Sequence, residues 1–395
     1  MKYDFLDSPS RENTNAEKYV LKKTLFKTDD VLPLWIADMD IDTPPFILDA
    51  VRLRLNHPIF GYEKFPTTAF LAQKEWVDKR YHFNFELDDM FYSHSVVSTM
   101  NLVIEAFSDV DDNVIVQTPV YPMFFKSILK HKRKIIYNPL KLDENGRYTF
   151  DIDDLNSKIN DKTKLLFLCS PHNPVGRSWK REELHQILDV CLKNNIIVFS
   201  DEIHSDLVYE PNKHIPFASL NDEARNITIT AMGTGKTFNM AGFAVSTVII
   251  TNKDLKDTFL EFYNKTYFAD GTIFSHVAFE SAYKNGEQWL DKLKQHLINN
   301  YKMLVETCSR YDDKIKVINI EATYLAWLDC RGMNMTNKQL KDFFVKEAKL
   351  GLGFGLSFGK EGSGFMRLNF AVSYNKMQEI IERLSIALKD RYDKN

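Results

Sequence analysis

The sequence is poor in glycine, with 15 in 395 residues, where an average chain carries about 7%. That scarcity excludes glycine-rich low-complexity and collagen-like architectures. It also makes the few glycines informative, because the residue is kept where backbone geometry demands it. Gly351, Gly353, Gly355, Gly359, Gly362 and Gly364 crowd one stretch, and Gly233, Gly235 and Gly242 form a smaller cluster. Cysteine is sparse too. Cys169, Cys191, Cys308 and Cys330 have no C-x-x-C spacing, so they read as reduced thiols of an intracellular protein rather than a disulfide framework or a zinc site. Neither sign of charge dominates: 51 Lys+Arg against 54 Asp+Glu give a net charge of −3. The basic stripe of a nucleic-acid binder is therefore not expected. Long apolar runs are missing. The longest, 196–199 and the mostly apolar 241–250, fall far short of the roughly 20 residues of a membrane span. The opening MKYDFLDSPSREN mixes charges early and has no apolar signal region. A cytoplasmic protein, off the membrane, is expected.

The length suits two or three domains' worth of core, and 29 phenylalanines supply packing. Short apolar runs at 114–117, 134–137, 165–169, 196–200, 227–231 and 246–250 read as buried strands. Amphipathic stretches lie between several of them. Residues 182–193 put Leu184, Ile187, Leu188 and Cys191 on one face, and 97–109 group Val103, Ile104 and Phe107. This alternation predicts an α/β fold, a mostly parallel sheet covered on both faces. The last hundred residues read differently. Helical patterns at 287–311, 337–349 and 376–392 mix with strand-like runs at 317–320, 324–328 and 365–370, which predicts a smaller α+β domain. The expected organisation is an N-terminal arm (1–45) packing with the small domain, a large domain (46–284) and a small domain (285–395). No repeat or long linker is present.

Several motifs fail on inspection. Gly233-Thr234-Gly235-Lys236-Thr237 ends like a phosphate-binding loop, but the required first glycine falls on Thr230 and an apolar strand follows within a few residues. Gly353-x-Gly355 lacks the third glycine of a dinucleotide fingerprint. H-E-x-x-H, paired cysteine ligands and G-x-S-x-G are absent, so no metal site or serine hydrolase is expected.

What remains is a set of polar residues just beyond the C-terminal ends of the expected strands, the edge where open parallel sheets bind ligands. Tyr121, Asn173, Asp201 and Lys236 each follow such a strand. Singly, each has a plain structural reading. Asp201 could cap a helix, Asn173 could shape a turn before Pro174, Lys236 could be a solvated charge, and Tyr121 could be core. Together, in this order, they suit pyridoxal 5'-phosphate (PLP). A lysine amine holds the aldehyde. An aspartate keeps the pyridine nitrogen protonated. An asparagine donates to the phenolic oxygen, and an aromatic face stacks on the ring. A helix N-terminus takes the phosphate, and residues 97–99, opening the helix that continues to Asp109, are placed to do so.

These residues resemble the MalY/PatB-type carbon–sulfur lyases (cystathionine β-lyase-like), within the fold type I aminotransferase superfamily. The markers are Pro-Leu-Trp-Ile-Ala-Asp-Met-Asp (33–40), Gly-Tyr (61–62), Thr-Pro-Val-Tyr-Pro (118–122), Ser-Pro-His-Asn-Pro-Val-Gly-Arg (170–177), Ser-Asp-Glu-Ile-His-Ser-Asp-Leu (200–207), Lys-Thr-Phe-Asn-Met-Ala-Gly (236–242) and Met-Arg-Leu-Asn-Phe-Ala (366–371). The set runs over nearly the whole chain. The resemblance implies a large domain built on a seven-stranded sheet, and PLP as cofactor. It implies that Lys236 carries the cofactor and then moves protons at the substrate Cα, while Asp201 pairs with the pyridine nitrogen. Asn173 and His204 would sit on the phenolic-oxygen side, and Tyr121 would stack on the ring. Val97, Ser98 and Thr234 would serve the phosphate, reached by Tyr62 from the neighbouring subunit of a homodimer. Arg367 would grip the substrate α-carboxylate, with Ala37 and Asn173 close by.

The implied reaction is α,β-elimination from an amino acid carrying sulfur at Cβ, such as cystathionine or a cysteine S-conjugate, to a thiol, pyruvate and ammonia. An aminotransferase would use the same Lys236, Asp201 and Arg367. A non-catalytic PLP-binding regulator is a third reading, which the retained chemical residues argue against. The chain departs from the family at two places. Gly235 stands where a serine often precedes the lysine, leaving Thr234 or Thr237 to supply a hydroxyl. Ser95-Val96-Val97-Ser98 stands for Gly-Val-Val-Pro, with Ser98 expected to cap the helix. The glycines from Gly351 to Gly364 run up to Arg367 and are expected to shape a mobile approach to the carboxylate.

Overall fold

The middle of the chain builds a seven-stranded sheet, which a computed structural model describes within residues 3–144, 146–266 and 270–393. Its strands are β1 (Met90–Ser93), β2 (Asn113–Val116), β3 (Lys134–Tyr137), β4 (Thr163–Cys169), β5 (Ile197–Asp201), β6 (Thr228–Met232) and β7 (Ser246–Ile249). The spatial order is β1-β7-β6-β5-β4-β2-β3. All pairings are parallel except those of β7, which runs antiparallel to both β1 and β6. The apolar runs of the sequence account for six strands. The seventh, β1, is the edge strand Met90–Ser93.

Strand β4 shows why these runs are continuous rather than alternating. Leu165, Phe167 and Cys169 join the core on one face of the sheet, while Leu166 and Leu168 join the core on the other. A strand covered on both faces needs apolar residues at every position. The covering helices include α1 (Val96–Phe107), α2 (Pro122–Lys130) and α3 (Arg181–Lys193). Helix α1 begins where the Ser95 hydroxyl accepts the Ser98 N–H at 3.1 Å. Ser95, not Ser98, is therefore the cap: the side chain that satisfies a first-turn N–H belongs to the residue before the helix. Further along lie the single turn α4 (Thr234–Thr237) and helices α5 (Ile273–Asn285) and α6 (Glu287–Ser309).

The C-terminal third adds an antiparallel sheet of β8 (Lys316–Val317), β9 (Leu325–Asp329), β10 (Gly353–Phe354) and β11 (Phe365–Asn369), in the order β8-β9-β11-β10. It is closed by α7 (Tyr374–Tyr392). The expected helix over 337–349 is an α-helical stretch, Asn337–Asp342, continued by a π-helical turn, Phe343–Glu347. The glycine stretch is built from close backbone approaches. A Cβ on Gly355 would stand 2.0 Å from the Gly362 carbonyl oxygen, and one on Gly362 would stand 2.0 Å from that of Gly355. The N-terminal segment pairs with this part of the chain, Leu32 with Leu350 and Pro33 with Gly351, and Asp40 bridges to Val372. Among the described residues no helix is long and apolar enough to cross a membrane.

Candidate active site

The C-terminal ends of β4, β5 and β6 open onto a cavity of about 200 Å³. Its wall includes Ala37, Tyr121, Asn173, Asp201, His204 and Lys236, together with His94, Ser95, Val96 and Val97 at the start of α1. Residues scattered over two hundred positions of sequence thus meet in one place. The sheet does this: each strand delivers the residue that follows it to the same edge.

Asp201 is the last residue of β5 and is 5% exposed. Burial pushes its carboxyl up to about 7, although the Ile203 N–H, donating at 3.2 Å, pulls the other way. Lys236 sits in the single turn α4. Burial lowers its amine to about 8. Its Nζ donates to the Ala37 carbonyl oxygen at 2.5 Å. Tyr121 immediately precedes α2, and burial raises its phenol. His204 is buried beside Tyr324, their rings edge to face with centroids 5.9 Å apart. Burial holds its imidazole well below the usual value, hence neutral, and its Nδ1 has no partner.

Arg367, on β11, reaches the cavity wall through Asn173: its Nη1 donates to Asn173 Oδ1 at 3.0 Å. Its Nη2 donates to the Trp35 carbonyl oxygen at 2.5 Å, and its Nε is buried without a partner. Burial lowers the guanidinium to about 10. Val97 and Ser98 stand in the first turn of α1, where Ser98 Oγ lies 2.9 Å from Ser95 Oγ. Thr234 is buried with its hydroxyl unpartnered, whereas the Thr237 hydroxyl donates to Asp206 Oδ2 at 2.9 Å. Of the two threonines, only Thr234 has a hydroxyl to spare. Tyr62 is fully exposed and is not brought to the cavity within one copy of the chain.

Three features went unread in the sequence. Tyr324, just before β9, donates its hydroxyl to the Ala37 carbonyl oxygen at 2.9 Å. Asn369 Nδ2 donates to the carbonyls of Ile36 and Asp38, at 2.7 and 2.6 Å. Asn369 was findable, since residues i and i+2 of a strand share a face, so the neighbour of Arg367 at that spacing had to face the same arm. The third is the role of the arm's backbone: the arm and Ala37 are expected near the site, but main-chain carbonyls carry no side-chain signal.

The donor set fits PLP. A part-buried amine and a buried carboxyl lie on one cavity, and the first-turn N–H groups of a twelve-residue helix open at one end, as an anion requires. Thr234 Oγ1, His204 Nδ1 and Arg367 Nε are buried polar atoms still without partners, which is costly unless something completes them. Among the described residues no group of His, Cys, Asp and Glu is arranged to hold a metal ion.

Fold and site together define an α/β enzyme of the aminotransferase type. The chain belongs to the aminotransferase class I and II family, whose model matches residues 29–384. It is 36% identical to cystathionine beta-lyase PatB of Bacillus subtilis (strain 168) over 96% of this chain and 98% of that one. Cystalysin from Treponema denticola, whose crystal structure contains a pyridoxal 5'-phosphate cofactor, superposes with a TM-score of 0.95 at 34% identity, over 99% of this chain and 100% of that one. The PLP-bound C–S lyase from Staphylococcus hominis superposes with a TM-score of 0.90 at 32% identity, over 98% of each chain.

Proposed function

We propose that this chain is a PLP-dependent carbon–sulfur lyase. It eliminates a thiol from cystathionine or a related cysteine S-conjugate, yielding pyruvate and ammonia. The observation that carries the reading is the meeting of Lys236, Asp201, Asn173 and Tyr121 on one cavity, in a chain 36% identical to a cystathionine beta-lyase.

Bound PLP supplies an electron sink for the pair left at the substrate Cα. Lys236 would hold the cofactor and, with its amine free, would take the proton from the substrate Cα. An amine held near 8 is far closer to its proton-accepting form than an ordinary lysine. Asp201 would accept the pyridine N–H, a cationic partner that favours its charged form. Tyr121 stacks on the ring. Asn173 has its Oδ1 engaged by Arg367, which leaves Nδ2 to donate to the phenolic oxygen, with His204 on the same side. Val97, Ser98 and Thr234 serve the phosphate. Arg367 holds the substrate carboxylate beside Ala37 and Asn173.

The working form is a homodimer in the cytoplasm. Leu53, Leu55, Ile59, Phe60 and Tyr62 are all exposed on one short segment, a dense apolar display for a free surface. Tyr62 would reach the phosphate of the neighbouring site. The chain divides into an arm (1–45), a large domain (46–284) and a small domain (285–395).

Cystathionine given to the PLP-loaded protein, with no keto acid present, tests the reaction. Pyruvate and homocysteine are expected. Strict dependence on an added keto acid would make the chain an aminotransferase of the same fold instead.

A further inference from the structure

The Ala37 carbonyl takes two donors, Lys236 Nζ at 2.5 Å and the Tyr324 hydroxyl at 2.9 Å. A carbonyl oxygen has two lone pairs, so these two donors fill it. The carbonyl is also held from both sides. Asn369 grips those of Ile36 and Asp38. Asn239 grips those of Met39 and Ile41 at 3.2 and 2.6 Å and accepts the Met39 N–H at 3.1 Å. The acceptor that meets the lysine amine is therefore a fixed point of the arm.

We propose that Tyr324 is a positioning residue that acts through the Ala37 carbonyl: it fixes the acceptor on which the Lys236 amine rests whenever that amine is free, and it keeps the amine in its neutral, proton-accepting form. The inference rests on Lys236 being the cofactor-bearing base. An ammonium bonds to a carbonyl more strongly than a neutral amine does. A second donor on the same oxygen draws on the same electron density and sets a positive hydrogen near the nitrogen. Both effects disfavour the ammonium. Tyr324 stays a phenol in this role, because burial raises it well above its ordinary value.

The charged groups around the amine act on it through space, not through its acceptor. Asp201 and Asp38 favour the ammonium and Arg367 opposes it. Asp38 is itself held by Arg11 and Lys18, at 2.9 and 3.0 Å. His204 is neutral, and Tyr121 faces Arg367. Only Tyr324 shares the amine's own acceptor among the described residues.

The test uses the full-length protein freed of PLP. PLP is added at a series of pH values, and the growth rate of the visible cofactor band is followed. Attachment needs the neutral amine, so the rate rises through the amine's midpoint. Tyr324→Phe removes one oxygen and no carbon, which keeps the packing against His204. Its midpoint is expected about half a pH unit or more above wild type, a threefold or larger fall in neutral amine at a fixed pH below it. Coincident midpoints, or a lower one in the variant, would overturn the proposal. Attachment involves no C–S cleavage. A shifted midpoint in a protein that leaves cystathionine intact would keep this inference and sink the lyase reading, and an active lyase with coincident midpoints would do the reverse. Failure of wild type to form the band would overturn both.

Discussion

Arg367 is held to the N-terminal arm by Trp35, whose carbonyl oxygen takes its Nη2 at 2.5 Å, while Asn173 takes Nη1 at 3.0 Å. A backbone carbonyl and a side-chain amide thus occupy the fork that a substrate carboxylate would use, and Nε is left over. Under the proposed function, a substrate carboxylate would bring a full charge where Trp35 offers a dipole, and would gain the fork by displacing that carbonyl.

Replacing that fork with a point charge loses the gain. Arg367→Lys is expected to raise KM for the amino acid about ten- to a hundredfold, the equivalent of about 1.5–3 kcal/mol for a hydrogen bond to a charged group. Steady-state kinetics with cystathionine check this. An unchanged KM would place the carboxylate elsewhere.

Lys236→Ala should abolish pyruvate production and leave the fold intact. Desolvation is the largest influence on the amine and works against its charge, so its removal costs the fold little. The readings are the pyruvate assay and the thermal midpoint. Substantial residual turnover would refute the assignment of Lys236.

Asp201 gives a pH signature in the cofactor-free protein. Its carboxyl titrates near 7 when folded, against 3.8 ordinarily. The folded chain therefore keeps a proton that the unfolded chain sheds between these values. The resulting stability is complete below about pH 4 and is lost as pH rises through about 7. Asp201→Asn cannot ionise. Its thermal midpoint relative to wild type should climb between pH 4 and 8, and a constant difference would contradict the burial.

Two glycines should behave oppositely. A Cβ on Gly355 would strike the carbonyls of Gly362 and Phe365 at 2.0 and 2.3 Å, whereas one on Gly235 would meet Ala241 Cα at 3.4 Å, an ordinary contact. Gly355→Ala should cost about 1–3 kcal/mol of stability through backbone displacement. Gly235→Ala should be neutral or stabilising by up to about 1 kcal/mol. Urea unfolding compares them.

The large sheet was legible because strands buried on both faces leave unbroken apolar runs, as in Leu165–Cys169, and because the residue after each run falls at the ligand edge. The edge strand Met90–Ser93 left a weaker mark. It is short and ends in Ser93, so its pattern is thin. Ser95 and Ser98 offer the same capping side chain three residues apart, and only the bond from the Ser98 N–H to Ser95 Oγ separates them. Tyr324 is illegible for a different reason. It acts on a main-chain oxygen of the arm, and a carbonyl at residue 37 looks like any other in a sequence.

The arm also sets a timetable. Trp35 waits for a residue 332 positions later, and Ile36 for one 333 positions later. At about 5–20 residues per second on a ribosome, that interval is on the order of 15–65 s. For the last part of it, the stretch from Lys236 to Arg367 and about 7–26 s at that rate, the lysine turn and its aspartate exist without the strand that closes them to the arm. A chain ending before that strand would carry Lys236 and Asp201 but neither Arg367 nor Asn369. The arm's two partners on β11 are thus among the last site residues to be made.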